Sequence, residues 1–207
     1  MKVMHILLPV CAMNCYLAIN EETNESIIID PGSSPKRIKA GIEQSGTTPV
    51  AILITHGHFD HVGAADEIAA EYGVKIYAYE GERETLENPH INLSADMIFQ
   101  STAYHADVYL KDNQEVELAG LTVKCLATPG HTPGGCCFYF EKEGIVFTGD
   151  TLFCGSVGRT DFPGGSMSQL VHSINEKLLV LPGDTICYPG HEAPTTVEFE
   201  RNNNMFL

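Results

Sequence analysis

Basic residues are scarce in this chain, and their scarcity limits what the protein can bind. Lysine and arginine together number 12, against 27 aspartates and glutamates, so the formal net charge is -15. No basic patch stands out that could neutralise phosphate groups and release their counterions. We therefore expect neither nucleic acid nor an anionic membrane surface as a partner.

Long apolar runs are also missing. No run approaches the roughly 20 residues that a membrane-spanning helix needs. The N-terminal stretch "MKVMHILLPVCAMNCYLAIN" has an apolar run after Lys2, but His5, Pro9 and Asn14 interrupt it and no small-residue cleavage site follows. We interpret this stretch as a pair of β-strands rather than a signal peptide.

Paired cysteine motifs are absent as well. The seven cysteines are odd in number, and no two of them have Cys-x-x-Cys spacing. This count and spacing argue against a disulfide framework and against a zinc ribbon. We predict buried, reduced thiols in a cytoplasmic protein.

The apolar residues that are present are enough for one well-buried domain. The chain has 207 residues, of which 43% are apolar. Short runs typical of strands are separated by segments with helical spacing, so we predict an α/β (α+β) fold in a single domain over residues 1–207. Two sheets packed face to face, with helices outside, would bring strand ends together along one rim.

Local patterns predict the individual elements. Ser34 is the predicted N-cap of a helix that begins at Pro35 and reaches Gln44. Apolar spacing predicts an amphipathic helix over residues 167–181, and the less regular residues 80–112 are expected to form part of a pocket wall. Apolar runs predict strands at residues 3–8, 16–20, 26–32, 50–55, 121–130, 135–140, 144–150 and 185–190.

Side chains that can bind metals follow several of these strands. The string "THGHFDH" directly after a buried strand contains four of them, and three more lie in Gly- and Pro-rich turns further along. Imidazole nitrogen and carboxylate oxygen are ligands of zinc and iron. One tetrahedral zinc cannot use seven protein ligands, but two metals that share a bridging carboxylate can. The candidate ligands are His56, His58, Asp60, His61, His131, Asp150 and His191.

The spacing within the first string predicts how the ligands divide. At an extended strand end, residues two apart project to the same side, so His56 and His58 can reach one metal. Asp60 and His61, at the turn into a helix, can reach a second. The more distant ligands would complete the arrangement, with His131 at the first metal, His191 at the second and Asp150 between them.

The motif "THGHFDH", followed in order by His131, Asp150 and His191, resembles the metallo-β-lactamase superfamily across nearly the whole chain. The resemblance implies a four-layer αββα sandwich, with two mixed β-sheets flanked by helices and the metals at one edge. It also implies the division of ligands described above. The segment "IIIDPG" resembles the first motif of the family, which implies that Asp30 orients the site. A turn-forming aspartate before a proline is the alternative.

Within the superfamily, "GDTLFCGSVGRTDFPGG" and "EFERNNNMFL" resemble the glyoxalase II-like (hydroxyacylglutathione hydrolase-like) enzymes of the short bacterial type. We accordingly expect no C-terminal glutathione-binding helical domain. The resemblance implies a hydrolase that binds two divalent metal ions and cleaves a small-molecule thioester. We expect zinc, with iron or manganese as alternatives.

Individual residues have predicted roles in that reaction. Metal binding lowers the pKa of water, so no separate strong base is needed, and Asp60 is the candidate catalytic residue that orients the nucleophile and takes its proton. Arg159 would bind a substrate carboxylate, or it would only hold its own loop by pairing with Asp161. Phe153, Phe162 and Tyr104 are candidate pocket walls.

Other functions remain open from the sequence. The string "GRTDF" also resembles the persulfide dioxygenases, which use one iron held by residues corresponding to His56, His131 and Asp150. Lactone or phosphodiester hydrolysis is a further alternative, because a nucleophile does not by itself choose its electrophile. A non-catalytic scaffold would be expected to lack some of the ligands, and none is lost here.

Overall fold

Two six-stranded β-sheets form the centre of the protein in the computed structural model, which describes residues 1–207. The strands of the first sheet lie side by side in chain order. The first three are antiparallel neighbours, and the rest of the sheet is parallel. These strands are β1 (Lys2–Leu7), β2 (Asn14–Asn20), β3 (Glu25–Ile29), β4 (Thr48–Ile54), β5 (Lys75–Tyr79) and β6 (Val108–Leu110).

The second sheet has the spatial order β14-β13-β10-β9-β8-β7. Most of its neighbours are antiparallel, and only β10 and β13 run parallel. Strands β11 and β12 form a separate small hairpin. The bounds are β7 (Glu115–Leu118), β8 (Leu121–Ala127), β9 (Cys136–Phe140), β10 (Ile145–Gly149), β11 (Leu152–Phe153), β12 (Ser156–Val157), β13 (Ile186–Pro189) and β14 (Thr195–Thr196).

The helices lie on the chain between these strands. None has the length and apolar character that crossing a bilayer requires. A π-helical turn (Ile174–Leu178) continues the sixth helix, and single 3-10 turns cover Glu80–Glu82 and Glu141–Glu143. The helices are α1 (Pro35–Ser45), α2 (Phe59–Val62), α3 (Ala65–Tyr72), α4 (Arg83–Glu87), α5 (Ser94–Met97), α6 (Met167–Ser173) and α7 (Val197–Asn203).

The isoleucines of β3 show how the layers form. Successive side chains of a strand point to opposite faces, so Ile27 and Ile29 pack between the two sheets, against Phe138 and Phe147 of the second sheet. Ile28, between them, points the other way. A strand that is apolar on both faces must be covered on both sides, and the second sheet covers the inner face of β3.

The outer faces of both sheets are covered by helices. On the first sheet, Ile28 belongs to a buried cluster with Ile38 of α1 and Ile68 of α3. On the second sheet, Val146 of β10 belongs to a cluster with Leu170 of α6. Helix, sheet, sheet and helix therefore follow one another, which confirms the predicted αββα sandwich.

Most predicted strands are observed, but the short strands β7, β11, β12 and β14 lie outside the predicted runs, and β5 and β6 were not predicted either. Strand β6 lies inside the stretch expected to be irregular, and β5 lies directly before that stretch; both extend the parallel part of the first sheet. Strand β5 has only five residues and follows α3 after a short turn, so its alternating burial is too short to stand out. Leu93 and Met97, from the same stretch, do line a cavity, as expected of a pocket wall.

Two predicted helix ends are wrong. Ser34 has a left-handed backbone (φ 52°) and makes no side-chain capping bond. An N-cap side chain reaches the helix amides from an extended backbone, so the conformation of Ser34 removes that contact. The helix predicted over residues 167–181 ends with the π-helical turn at Leu178. Leu181 precedes Pro182, and a residue before proline is disfavoured in a helix.

The prediction of buried thiols is correct for five cysteines and wrong for two. All seven cysteines are free, and Cys11 and Cys154 are exposed. Cys11 lies in the turn between β1 and β2 with φ 56°. That turn brings its side chain to the rim of the sandwich, as described below.

Candidate metal centre

The seven candidate ligands meet at one edge of the sandwich. Strands β4, β10 and β13 all end at this edge, and each is followed directly by ligands. His131 arrives on the loop between β8 and β9, and α2 presents Asp60 and His61. Loops at strand ends are free to carry function because the sheets below hold their ends fixed.

The first group of ligands contains three histidines. The ligand atoms of His56, His58 and His131 all lie within 4.8 Å of one another. His58 Nδ1 and His131 Nε2 are 3.0 Å apart. His131 lies more than 70 positions along the chain from His58 and meets it only in the fold.

The second group contains a carboxylate and two histidines. The ligand atoms of Asp60, His61 and His191 also lie within 4.8 Å of one another. His61 Nε2 is 3.4 Å from His191 Nε2, and His191 Nε2 is 3.5 Å from Asp60 Oδ2. The structure thus brings together the residues that the spacing assigned to the second metal.

Asp150 lies between the two groups. Its Oδ1 is 3.3 Å from His61 Nε2, and its Oδ2 is 3.5 Å from His131 Nε2 and 3.6 Å from His191 Nε2. A single carboxylate therefore faces both groups, which is the position that a bridging ligand needs. Its role as a bridging ligand stays a prediction.

Unpaired polar atoms show that these residues fit a metal. His56 Nε2, His58 Nε2 and Asp150 Oδ1 are buried and have no hydrogen-bond partner of good geometry. Burying a polar atom without a partner is costly, and native proteins rarely do so. Bound cations would satisfy these atoms, and the donor set of imidazole and carboxylate suits zinc or iron.

The two groups differ in protonation. Burial and the neighbouring histidines His61 and His131 hold the pKa of His56 well below its usual value. Burial, aided by His131, lowers the pKa of His58 to about 3. Both imidazoles are therefore neutral at pH 7, and the neutral form is the one that binds metals.

In the second group, neighbouring carboxylates raise the pKa of the histidines instead of lowering it. Burial alone would lower the pKa of His61, but Asp150 and Asp30 raise it well above its usual value. Burial also opposes the charge on His191, and the hydrogen bond with Asp60 nevertheless raises the pKa of His191. The second group is thus organised by charge, in contrast to the first.

Asp30 contacts the second group through one of its histidines. Its Oδ1 accepts a hydrogen bond from the Thr55 backbone N–H at 2.7 Å, and its Oδ2 accepts one from Thr55 Oγ1 at 2.6 Å. The same Oδ2 lies 2.9 Å from His61 Nδ1. A partner on one ring nitrogen fixes which nitrogen faces a metal, so Asp30 is placed to orient His61. That role stays a prediction.

Arg159 contributes its backbone to the site and pairs its side chain elsewhere. His131 Nδ1 donates to the carbonyl oxygen of Arg159 at 2.6 Å. The guanidinium makes two bonds of 2.7 Å to Asp161 and lies 4.1 Å from the ring centre of Phe162. Of the two partners considered from the sequence, the structure shows Asp161, and a substrate contact stays a prediction.

A cavity of about 360 Å³ opens beside the ligands. Asp60, Asp150 and His191 line it together with apolar walls that include Phe59, Phe153 and Phe162. Tyr104, expected to be a wall, is instead buried in the core of the first sheet. A larger cavity of about 470 Å³ lies on the second sheet around Lys124 and Lys177, but no histidine lines it. Because candidate metal ligands line the smaller cavity, we assign the functional site to it.

Sequence reasoning missed two residues at this edge. Cys11 lines the cavity, and the partial burial of its thiol, with the nearby charge of Asp60, raises the pKa of this thiol to about 11. Glu82 is fully buried beneath the loops that carry the first group. No sequence signal separates Glu82 from the other glutamates of "EGERETLE", because only its contacts distinguish it.

A four-layer αββα sandwich with such a cluster at its edge defines the class of the metallo-β-lactamase fold. The model of the metallo-beta-lactamase superfamily matches residues 8–191, and the chain belongs to this superfamily. Its members are generally metal-dependent hydrolases. The protein is accordingly a metallo-hydrolase of this fold with histidine and aspartate candidates for the metal site.

Two relatives in sequence cover nearly the whole chain. The probable metallo-hydrolase YqgX of Bacillus subtilis is 37% identical over 94% of this chain and 92% of its own length. The hydroxyacylglutathione hydrolase GloC of Haemophilus influenzae is 38% identical over 97% of this chain and 96% of its own.

Two solved structures agree with the fold. BLEG-1, described as a B3 metallo-beta-lactamase, has a TM-score of 0.93 and 36% identity, and the match covers 100% of this chain and 99% of BLEG-1. TTHA1623 in a di-iron-bound form has a TM-score of 0.86 and 34% identity, over 99% of this chain and 100% of TTHA1623.

Proposed function

We propose that the protein is a binuclear metal-dependent thioester hydrolase similar to the hydroxyacylglutathione hydrolases. The observation that carries the proposal is the position of Asp150, a carboxylate that faces two complete ligand groups. A site for one ion would not need the second group. The similarity to GloC supports a thioester as the substrate.

The ligand groups define how two ions would be held. His56, His58 and His131 would hold one ion, and Asp60, His61 and His191 the other, with Asp150 shared. When bound, two divalent cations supply Lewis acidity and lower the pKa of water from 15.7 towards about 7. We expect zinc first, while the di-iron form of TTHA1623 supports iron as an alternative and the oxygen ligands allow manganese.

Asp60 is the proposed catalytic residue. Burial would raise the pKa of its carboxyl, but the hydrogen bond with His191 and the charge of His61 lower the pKa. The carboxylate is therefore ionised at neutral pH, and it lines the cavity. From this position Asp60 can accept a hydrogen bond from an attacking water, align it and receive its proton.

The cavity walls and Arg159 would select the substrate. A volume of about 360 Å³ is within the usual range for small-molecule sites. The aromatic walls suit an apolar acyl group and exclude competing water. We retain Arg159 as a candidate contact for a substrate carboxylate, although Asp161 competes for its guanidinium.

Further features support a cytoplasmic protein that acts on small molecules. All seven cysteines are free, which suits a reducing compartment. The net charge of -15 disfavours nucleic acid and anionic membranes as partners.

Metal content tests the proposal first. Elemental analysis of the purified protein should find about two metals per chain, and Asp60→Ala and His191→Ala should each reduce this number towards one. The exposed histidine variant His172→Ala is the matched control and should keep two. The metal-loaded protein should release thiol from an acylthiol, measured with a thiol reagent.

The alternative function, a persulfide dioxygenase with one iron, predicts a different outcome. A single iron that is unaffected by Asp60→Ala or His191→Ala, together with oxygen uptake in the presence of a thiol persulfide, would favour a dioxygenase that uses His56, His131 and Asp150. Metal-loaded protein that cleaves no acylthiol would remove the thioester proposal.

A further inference from the structure

A buried glutamate connects the two loops that carry the first ligand group. Glu82 has no exposed surface. Its Oε1 accepts a hydrogen bond from the Gly57 backbone N–H at 2.8 Å, and its Oε2 accepts one from the Gly134 backbone N–H at 2.9 Å. Gly57 stands between His56 and His58, and Gly134 follows His131 on the same loop.

The backbone of the same segment lies against both glycines. A Cβ atom on Gly57 would lie 2.9 Å from the backbone nitrogen of Leu86. A Cβ atom on Gly134 would lie 2.1 Å from the carbonyl carbon of Gly81. The two loops can approach the segment around Glu82 this closely only because glycine occupies both positions.

The energetic cost of burying Glu82 indicates that its hydrogen bonds to the two loops are a specific feature of this fold. A buried carboxylate is costly unless its oxygens are paired, and here each oxygen receives one backbone amide. Burial raises the pKa of Glu82 to about 7, while the amide bonds from Gly57 and Gly134 act in the opposite direction. The nearby Glu80, Glu84 and Glu87 are exposed, so Glu82 alone bears this cost.

We propose that Glu82 is a positioning residue that fixes the two ligand loops relative to each other and thereby sets the metal affinity of His56, His58 and His131. Glu82 makes hydrogen bonds to the loop backbones rather than to a ligand side chain. Its consequence for metal affinity rests on the proposed function, whereas the connection between the loops does not. Residues that orient ligands typically change metal affinity 10- to 100-fold when altered.

Amide exchange tests the connection directly. In the full-length protein as purified, labelled with ¹⁵N-glycine, at least one of the Gly57 and Gly134 amides of Glu82→Gln should exchange with solvent at least about tenfold faster than in wild type. Glutamine has one carbonyl oxygen, so it cannot accept both bonds. Glu84→Gln changes an exposed glutamate of the same segment and is the matched control, expected to leave all rates unchanged.

Two other glycines separate a local effect from general destabilisation. The amides of Gly32 and Gly190 bond to the carbonyl oxygens of Asp30 and Gly149, away from Glu82, and should keep their exchange rates. Acceleration of all four glycines together, or of none, would overturn the proposal. If Glu82→Gln does not fold, Glu82→Asp shortens the side chain and should accelerate the same two amides.

Metal affinity tests the consequence. In a His191→Ala background, which leaves the first group intact, adding Glu82→Gln should raise the Kd for Co²⁺ 10- to 100-fold and shift the visible spectrum of the bound Co²⁺. Adding Glu84→Gln should change neither. An unchanged Kd and spectrum would overturn the role of Glu82 in metal affinity. Absence of metal binding by the wild type would instead remove the proposed function, and the exchange result would stand.

Discussion

The two ligand groups at the rim differ in charge and exposure. The first consists of three imidazoles whose residues are only 2–4% exposed. The second contains a carboxylate, and the side chain of its His191 is 21% exposed. Nearby carboxylates raise the pKa of both histidines in the second group, whereas burial and neighbouring histidines lower the pKa of His56 and His58 in the first.

The groups are also held in different ways. Asp30 lies 2.9 Å from an imidazole of the second group, so a charge acts on a ligand directly. Glu82 instead accepts hydrogen bonds from backbone amides of the first group's loops. We infer from this contrast that the buried group of three imidazoles depends on loop geometry, while the group that contains a carboxylate depends on its neighbouring charges. Substitutions can therefore disturb one group and leave the other intact.

Asp150→Asn should have the largest effect, because it alters the one residue that faces both groups. We expect thioester cleavage to fall on the order of a thousandfold, since the loss of a shared charged ligand removes several kcal/mol of stabilisation. Metal content should fall in both groups, as measured by elemental analysis. Asp184→Asn, at an exposed site, is the control. Retention of two metals by Asp150→Asn would show that the groups are independent of this carboxylate.

Asp30→Asn should weaken the second group alone. The change removes the charge beside His61, and we expect a 10- to 100-fold rise in metal Kd. Competition with a chelator in a His58→Ala background would measure the second group by itself. The exposed Asp66→Asn serves as a matched control. An equal loss of affinity in the first group, measured in a His191→Ala background, would contradict the division.

Gly134→Ala should disturb the first group through its loop. The new Cβ would meet the Gly81 backbone at 2.1 Å, so we expect a loss of about 1–3 kcal/mol in the free energy of unfolding, measured in urea. Gly183→Ala, whose Cβ would meet only side-chain atoms of Glu198 and Arg201, should cost less. Equal stability of both variants would show that the loop has room to move.

Asp161→Asn should have the smallest effect and should leave both groups intact. Only the backbone carbonyl of Arg159 contacts His131, so metal content should not change. The freed guanidinium should lower KM by up to about fivefold for a thioester that carries a carboxylate, since an exposed ion pair contributes at most about 1 kcal/mol. A neutral thioester is the control, and an equal change for both substrates would argue against Arg159 as a contact.

Residues that follow strands could be predicted to meet because sheet geometry is regular. The runs that became β4, β10 and β13 were recognisable from local pattern, and packing two sheets aligns their ends. The capping role of Ser34 failed because its backbone is left-handed, a property that residue type alone does not reveal. The partner of Arg159 remained open because two carboxylates of equal chemistry compete for one guanidinium.

The kind of chemistry at the rim could be predicted from the amino-acid sequence, because ligand types and their spacing after strands are local properties of the chain. Which carboxylates support that chemistry depends on the tertiary fold. Glu82 is one of four glutamates within eight residues, and it differs from the others through bonds to glycines 25 and 52 positions away. Such contacts arise only when distant segments pack together. A carboxylate that is buried between these segments then depends on the surrounding amides for its hydrogen bonds.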